Sequence, residues 1–245
     1  MRYWLNSADK VNPEEFSSRS IQICDLYRKA IELHEKGVHV VSTDEKTGMQ
    51  ALERAAPTLP MRPSFIERQE QDYIRHGTLV LIANFEVATG QILAPTIGDT
   101  RTEKDYVEHI AQTVSRDPNG TWIFIHDQLN THQSESLVRF VAQQCGIEDD
   151  LGRKGRSGIL KSMKTRRAFL EDETHRIRFA YTPRHASWLN QIEIWFSILA
   201  RRLLKRASFP SIESLRERLE AFIEYFNNVL AKPFKWTYRG KILNV

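Results

Sequence analysis

Three acidic residues of this 245-residue chain stand where they could act together: Asp44, Asp127 and Glu193. Asp44 closes the β-branched run VHVVST, and Asp127 closes the run TWIFIH. Glu193 falls in the first turn of an apolar-striped segment that begins after Asn190. Three converging carboxylates repel one another unless a cation neutralises them. Oxygen-only ligation suits magnesium or manganese. A pair of such ions serves in-line phosphoryl transfer by activating a water and stabilising the leaving oxygen. Each acid also has a plainer reading. Asp44 followed by Glu45 fits a strand meeting solvent. Asp127 fits a turn or helix cap. Asn190 and Glu193, three residues apart, fit a capping box at a helix start.

The elements that must position these acids follow from hydrophobic periodicity. Residues 1–20 read as a polar arm with Asn12-Pro13 as a turn signal. Ile21 to Glu35 carries apolar residues at helical spacing, with Gly37 placed to end the helix. A short buried strand then runs to Asp44, and residues 45–70, with Pro57, Pro60 and Pro63, read as an excursion. GTLVLIANFEVATGQILAPTI reads as an antiparallel hairpin turning at Ala88-Thr89-Gly90. Helices are expected over Thr102–Val114, 132–145, Asn190–Arg206 and Ser211–Leu230, the third with a stripe at Ile192, Trp195, Phe196, Leu199 and Leu203. TWIFIHD and IRFAYTP are further strands. This order implies an α/β fold, a mixed sheet with helices on its faces. In open α/β sheets, sites gather at the carboxyl ends of strands.

Composition bounds the function classes. Hydrophobic residues at 41% and charged residues at 27% are ordinary for a soluble globular chain, large enough for one domain or a domain plus an arm. Cys24 and Cys145 form no CxxC pair, so neither a disulfide framework nor a cysteine zinc site is expected. The apolar runs are too short to span a bilayer, and the start MRYWLNSADK lacks the apolar core of a signal peptide. A cytoplasmic protein is expected. GxxxxGK[ST] and GxGxxG are both missing, which argues against an NTPase or a dinucleotide enzyme. Ser42 and Ser187 lack a nucleophile-elbow context. The net charge of +4 is by itself weak evidence for a nucleic-acid partner.

Longer motifs around the acids decide between their readings. FIHDQLNTHQSESL resembles the second-acid motif of DDE transposases. YTPRHASWLNQIEIWFSIL resembles their third-acid motif, and VVSTDEKTG the first. The resemblance is to the mariner superfamily in its bacterial insertion-sequence branch, and covers most of residues 38–205; the tail FKWTYRGK is also similar. It implies a ribonuclease-H-like fold, with an antiparallel hairpin in a mixed sheet and helices on both faces. It implies two magnesium ions, replaceable by manganese, held by Asp44, Asp127 and Glu193. The implied reaction is hydrolytic cleavage at transposon ends, followed by attack of the freed 3′-hydroxyl on target DNA. A homodimer and association with the nucleoid are implied as well. The expected organisation is an arm and helix over 1–36, the catalytic domain over 37–206 with a basic insertion at about 146–173, and a C-terminal helix and tail over 207–245.

The sequence departs from that family pattern in three ways. Gln128 follows the second acid where asparagine is common. The gap between Asp127 and Glu193 is long. No helix-turn-helix segment precedes the catalytic region, so a separately encoded or truncated catalytic half is expected, with a separately encoded helix-turn-helix part as one partner. Two rival readings remain open: an inactive remnant that only binds DNA, and another ribonuclease-H-like nuclease.

The extra length carries RKGRSGILKSMKTRR, with Arg153, Lys154, Arg156, Lys161, Lys164, Arg166 and Arg167. This run reads either as a solvated insertion or as a grip on the DNA backbone. His132 and His185 are expected to orient neighbours or contact phosphate. Neither they nor His126 stand in HxxxH or HxxEH spacing, which argues against zinc. RRLLKR at 201–206 reads as complementing a helix C-terminus. Trp188, Trp195 and Phe196 read as core.

Overall fold

Asp44 lies on the central strand of a five-stranded mixed sheet, and Asp127 directly follows that strand's parallel neighbour. The computed structural model describes residues 13–68, 70–184 and 186–240. The elements in chain order are α1 (Pro13–Glu35), β1 (Val38–Arg54), β2 (Tyr73–Glu86), β3 (Ile92–Gly98), α2 (Glu103–Val114), β4 (Thr121–His126), α3 (Glu135–Gln144), α4 (Met163–Leu170), β5 (Ile177–Tyr181), α5 (Ile192–Leu199) and α6 (Ile212–Tyr225). The strand order is β3-β2-β1-β4-β5. β1, β2 and β3 form an antiparallel meander, and β1, β4 and β5 are parallel. This is the mixed sheet with an antiparallel hairpin that the sequence implies.

Side-chain alternation along the strands builds two cores. Val40, Ile123, Ile125 and Ala180 face one side and pack with Ile23 and Tyr27 of α1, Trp195 and Leu199 of α5, and Leu215 and Leu219 of α6. Val41, Trp122, Phe124, Phe179 and Tyr181 face the other side and pack with Tyr106 and Ile110 of α2 and Val138 and Val141 of α3. Burial on both faces is why these strands read as continuous apolar runs rather than as alternating ones. The tail closes over the first core, where Phe234 stacks on Phe85 at 4.6 Å and Trp236 meets Tyr27 edge-on at 4.9 Å. At the hairpin turn, a Cβ on Gly90 would lie 2.1 Å from the Lys232 carbonyl oxygen, so only glycine lets the tail pass there.

Several elements differ from the expected boundaries. α1 is described from Pro13, so residues 13–20, expected in an arm, are helical, and the rest of that arm lies outside the described residues. β1 continues past Asp44 to Arg54, with register shifts between Lys46 and Met49 and between Gln50 and Leu52. Its outer half is polar, and bulges break its alternation, which hid it as a strand. The basic stretch is ordered: Ser162 and Thr165 form a capping box that starts α4, and Leu160 and Leu170 enter the second core. Both α5 and α6 pass into π-helical turns, Ala200–Leu204 and Phe226–Leu230. Among the described residues, no helix is long and apolar enough to cross a membrane.

Candidate active site

The parallel register of β1 and β4 sets the first two acids side by side. Its last pair is Ser42 with Ile125. Carried two residues on, the same register puts Asp44 opposite Asp127, just beyond the end of β4. Alternation also gives their direction. Asp44 continues the side of Val40 and Ser42, and Asp127 continues the side of Ile123 and Ile125, which is the face that α5 covers. Neighbouring strands lie about 4.8 Å apart. That spacing lets two carboxylates serve a metal pair separated by about 3.5–4 Å.

Asn190 brings in the third acid. It is buried, and its Oδ1 accepts the Ser42 hydroxyl. Its Nδ2 donates to the Thr43 carbonyl at 2.9 Å and to Asp44 Oδ2 at 3.3 Å. Ser42 Oγ in turn accepts the Ile192 backbone N–H at 2.9 Å. From α1, the Tyr27 hydroxyl donates to the Leu189 carbonyl at 2.8 Å and accepts the Gln191 N–H at 3.3 Å. The start of α5 is thereby pinned to the Ser42–Asp44 stretch of β1. The capping box expected of Asn190 and Glu193 does not form: α5 is capped by Gln191 with no side-chain bond, because the Asn190 side chain is committed to β1. The Glu193 side chain is exposed, and among the described residues no hydrogen bond or ion pair holds its carboxylate.

The acids share one electrostatic field. Burial raises the Asp44 carboxyl most, and the Glu45 N–H opposes it. The negative charges of Asp127, Glu45 and Glu193 raise it further, to about 7. Asp127 behaves in the opposite way. Burial would raise its pKa, but the hydrogen bond and charge of His132, with the Leu129 N–H, hold it below the usual carboxylate range. Asp127 Oδ1 accepts both of these donors, at 2.8 Å from His132 Nδ1 and 2.9 Å from Leu129 N, which leaves Oδ2 without a partner among the described residues.

Of the two roles expected of His132, the structure shows the first, orienting a neighbour. His132 is fully buried, so it contacts no phosphate. Its Nδ1 meets Asp127 and its Nε2 meets Glu45 Oε1 at 3.0 Å. Burial opposes its charged form, but the two carboxylates win and raise its pKa to about 9. It is therefore an imidazolium bridging Asp127 and Glu45, flanked by the rings of Tyr106 and His126, with the Tyr181 hydroxyl donating to its carbonyl at 2.8 Å. Glu45 was missed as a site residue. The signal lay in strand alternation: next to Asp44 on β1, it points to the opposite face and reaches His132.

The basic run divides. Arg153, Lys154, Arg156, Lys161 and Lys164 are exposed. Arg166 is not available to DNA; it is buried, with Nη2 2.6 Å from Met163 Sδ. Arg167 is an internal strut. Its guanidinium lies 4.8 Å over the Tyr181 ring, pairs with Glu171 at 3.1 Å and donates to Gln128 Oε1 at 3.2 Å. Gln128 also donates to the Thr182 carbonyl at 2.9 Å. Two departures from the family pattern, the glutamine after the second acid and the basic insertion, are thus joined by one hydrogen bond. His185 lies outside the described residues. Trp195 and Phe196 are core, whereas Trp188 is exposed and meets Tyr238 edge-on at 5.1 Å.

Two groups among the described residues bring three metal-ligating atoms within 4.8 Å of one another: His126, Asp127 and His132, and His34, His39 and Glu86. The three acids do not form such a group, so no single ion is caged by all three in this arrangement. Their chemistry fits hard divalent cations. The donors are all carboxylate oxygens, Asp127 Oδ2 and the Glu193 carboxylate are uncommitted, and the repulsion that raises Asp44 is what bound cations relieve.

Residues 39–216 match the family model described as DDE superfamily endonuclease. No curated protein matches the chain. Solved structures do. The Mos1 strand transfer complex aligns with a TM-score of 0.54 at 11% identity, over 91% of this chain and 57% of that one. The Mos1 paired-end complex with left transposon end gives 0.53 at 12%, over 86% and 55%. The Mos1 mariner paired end complex with Mn gives 0.52 at 14%, again over 86% and 55%. At these identities the likeness shows the fold, which is ribonuclease-H-like. The chain spans little more than half the length of these three solved chains.

Proposed function

The chain belongs to the DDE superfamily endonucleases, and on that premise we propose that it is the catalytic domain of a mariner-like transposase of the bacterial insertion-sequence branch. The proposed activity is metal-dependent cleavage of DNA at transposon ends and transfer of the freed 3′-hydroxyl to target DNA. The observation that carries it is the register that sets Asp44 level with Asp127, together with Asn190 tying Asp44 to the helix of Glu193.

Asp44, Asp127 and Glu193 would hold two magnesium ions, with manganese able to replace them. Bound there, such ions supply an activated water and a stabilised leaving oxygen. The chain's own residues prepare the site. His132 fixes Asp127 through Oδ1 and keeps Oδ2 open. Asn190 sets Asp44, and the Tyr27 and Ser42 hydroxyls fix the turn from which Glu193 projects. The exposed Arg153, Lys154, Arg156, Lys161 and Lys164 would take the DNA backbone. A homodimer would bring two ends together, and a helix-turn-helix part would read the end sequence.

The test is end-labelled DNA carrying candidate transposon ends, incubated with the protein and magnesium or manganese, beside an Asp127→Asn control. Nicking that needs the metal and is abolished in the control is expected. Binding without nicking, once a helix-turn-helix partner is supplied, would instead establish a remnant that only binds DNA.

A further inference from the structure

The opposite end of the sheet carries a second cluster of ligating groups. His34 comes from the last turn of α1, His39 from the start of β1 and Glu86 from the end of β2. His39 Nδ1 is 2.6 Å from Glu86 Oε1, and His34 Nδ1 is 3.5 Å from the same oxygen. His39 and Asp44 are five residues apart on one strand, so the cluster lies about 16 Å from the acids.

We propose that His34, His39 and Glu86 form a second metal site, selective for a zinc-class divalent cation and structural in role. Four observations support it. First, three donor atoms from three separate elements lie within 4.8 Å of one another. Second, the Glu86 side chain is 5% exposed, and its Oε2 is occupied by the Thr89 hydroxyl at 2.7 Å, which leaves Oε1 turned to the histidines. Third, His34 Nδ1 is buried and has no hydrogen-bond partner, although it faces that oxygen. A buried ring nitrogen without a partner is costly, and a metal would satisfy it.

Fourth, the surroundings orient His39 as metal ligands are commonly oriented. Its Nε2 lies 3.1 Å from Asp117 Oδ2, which directs Nδ1 to Glu86, and its ring stacks on Trp122 at 4.0 Å. Gly120 makes room for Asp117, since a Cβ there would lie 2.4 Å from Asp117 Oδ2, and its N–H donates to Asp117 Oδ1 at 3.0 Å. The His34 and His39 rings stand edge-to-face at 5.3 Å.

Two imidazoles, one carboxylate and a water make a tetrahedral zinc set. With Zn–N and Zn–O near 2.0–2.1 Å, the ligand atoms sit roughly 3.3–3.5 Å apart. His39 Nδ1 and Glu86 Oε1 therefore separate by under about 1 Å on binding, and His34 keeps its distance. The proton between His39 and Glu86 leaves to solvent as the cation enters, so affinity rises with pH. The metal would tie the C-terminus of α1 to the sheet. HxxxH spacing is absent because the donors come from three elements.

The test uses the full chain in an Asp127→Asn background, so that the acids at the other end of the sheet do not compete. Cobalt(II) is titrated as a visible probe, followed by zinc displacement and thermal melting with and without zinc. One equivalent of tetrahedral cobalt absorption, displaced by zinc, and a zinc-dependent rise in melting temperature are expected. His34→Ala should weaken cobalt binding at least 100-fold, and Asp117→Asn by about 10–100-fold. Circular dichroism reports whether each variant is folded. His34→Ala removes only a half-buried side chain at a helix end, so it isolates the ligand. Absence of tetrahedral absorption, or binding that survives both His34→Ala and Glu86→Gln, would overturn the site.

Discussion

Asn190 donates its side-chain amide to Asp44, with 3.3 Å between Nδ2 and Oδ2. The residue just before α5 thus sets the orientation of an acid on β1, and the distance between the first acid and the turn of Glu193 is fixed by one buried side chain. The other two bonds of Asn190, to Ser42 and Thr43, hold it rigid.

Asn190→Leu should therefore cost more in activity than in folding. Leucine fills the volume but leaves the Thr43 carbonyl without its donor and the Ser42 hydroxyl without its acceptor, at about 1–3 kcal/mol for each group left unpaired. The expected outcome is a lowered but measurable melting temperature and a metal-dependent nicking rate reduced by about 100-fold, the scale on which small misplacements act. Melting and nicking measured on the same preparation check it. Equal nicking in the two proteins would show that Asn190 serves stability alone.

His132→Gln should behave differently. Removing the imidazolium leaves the buried Glu45 carboxylate without its partner, at a cost approaching about 3–5 kcal/mol, while Asp127, 42% exposed, is partly screened by water and loses less. Stability and nicking should fall together. The salt dependence of DNA binding should not change, because His132 reaches no solvent. A smaller salt slope in the variant would restore the phosphate-contact reading.

Much of this site was legible in the sequence. The runs ending in Asp44 and Asp127 could be read as buried strands because both faces of β1 and β4 are covered, so apolar residues dominate both. The hairpin was legible because its turn needs a positive φ, which Gly90 adopts at 75°. What escaped reading depends on partners distant in sequence. Asn190 satisfies a helix-cap pattern locally and is recruited by Ser42 and Thr43 from β1. Glu45 looks like a second solvent acid until alternation turns it toward His132. Arg166 and Arg167 look like their exposed neighbours, and only the helical period of α4, started by the Ser162–Thr165 box, turns them inward.

That division predicts two classes of variant in the basic stretch. Reversing Lys161 and Arg156 to glutamate should leave melting nearly unchanged and weaken DNA binding. The slope of log affinity against log salt should fall by about 0.9 for each phosphate that the chain no longer neutralises. Arg167→Glu should instead lower stability, since it places a carboxylate beside Glu171 and abandons Gln128 and Tyr181. Binding isotherms at several salt concentrations check the first expectation and thermal melts the second. An unchanged salt slope after Lys161 and Arg156 are reversed would place the DNA path elsewhere.

His109 makes the acid stability of the fold testable away from both clusters. It lies in α2, fully buried, with Nδ1 2.9 Å from Thr96 Oγ1 and Nε2 without a partner. Burial disfavours its charged form and lowers its pKa from 6.5 to about 3. The folded chain therefore keeps His109 neutral where the unfolded chain protonates it. Stability from this group is complete above pH 6.5 and is lost progressively as pH falls toward 3, because the unfolded state binds the extra proton. His109→Leu removes that titration and keeps an apolar side chain in the core. Its unfolding free energy should fall less steeply than that of the wild type between pH 6.5 and 4, by an amount on the order of a few kcal/mol over the interval. Urea denaturation at a series of pH values measures both curves, and parallel curves would mean that His109 is already protonated or solvated in the folded chain.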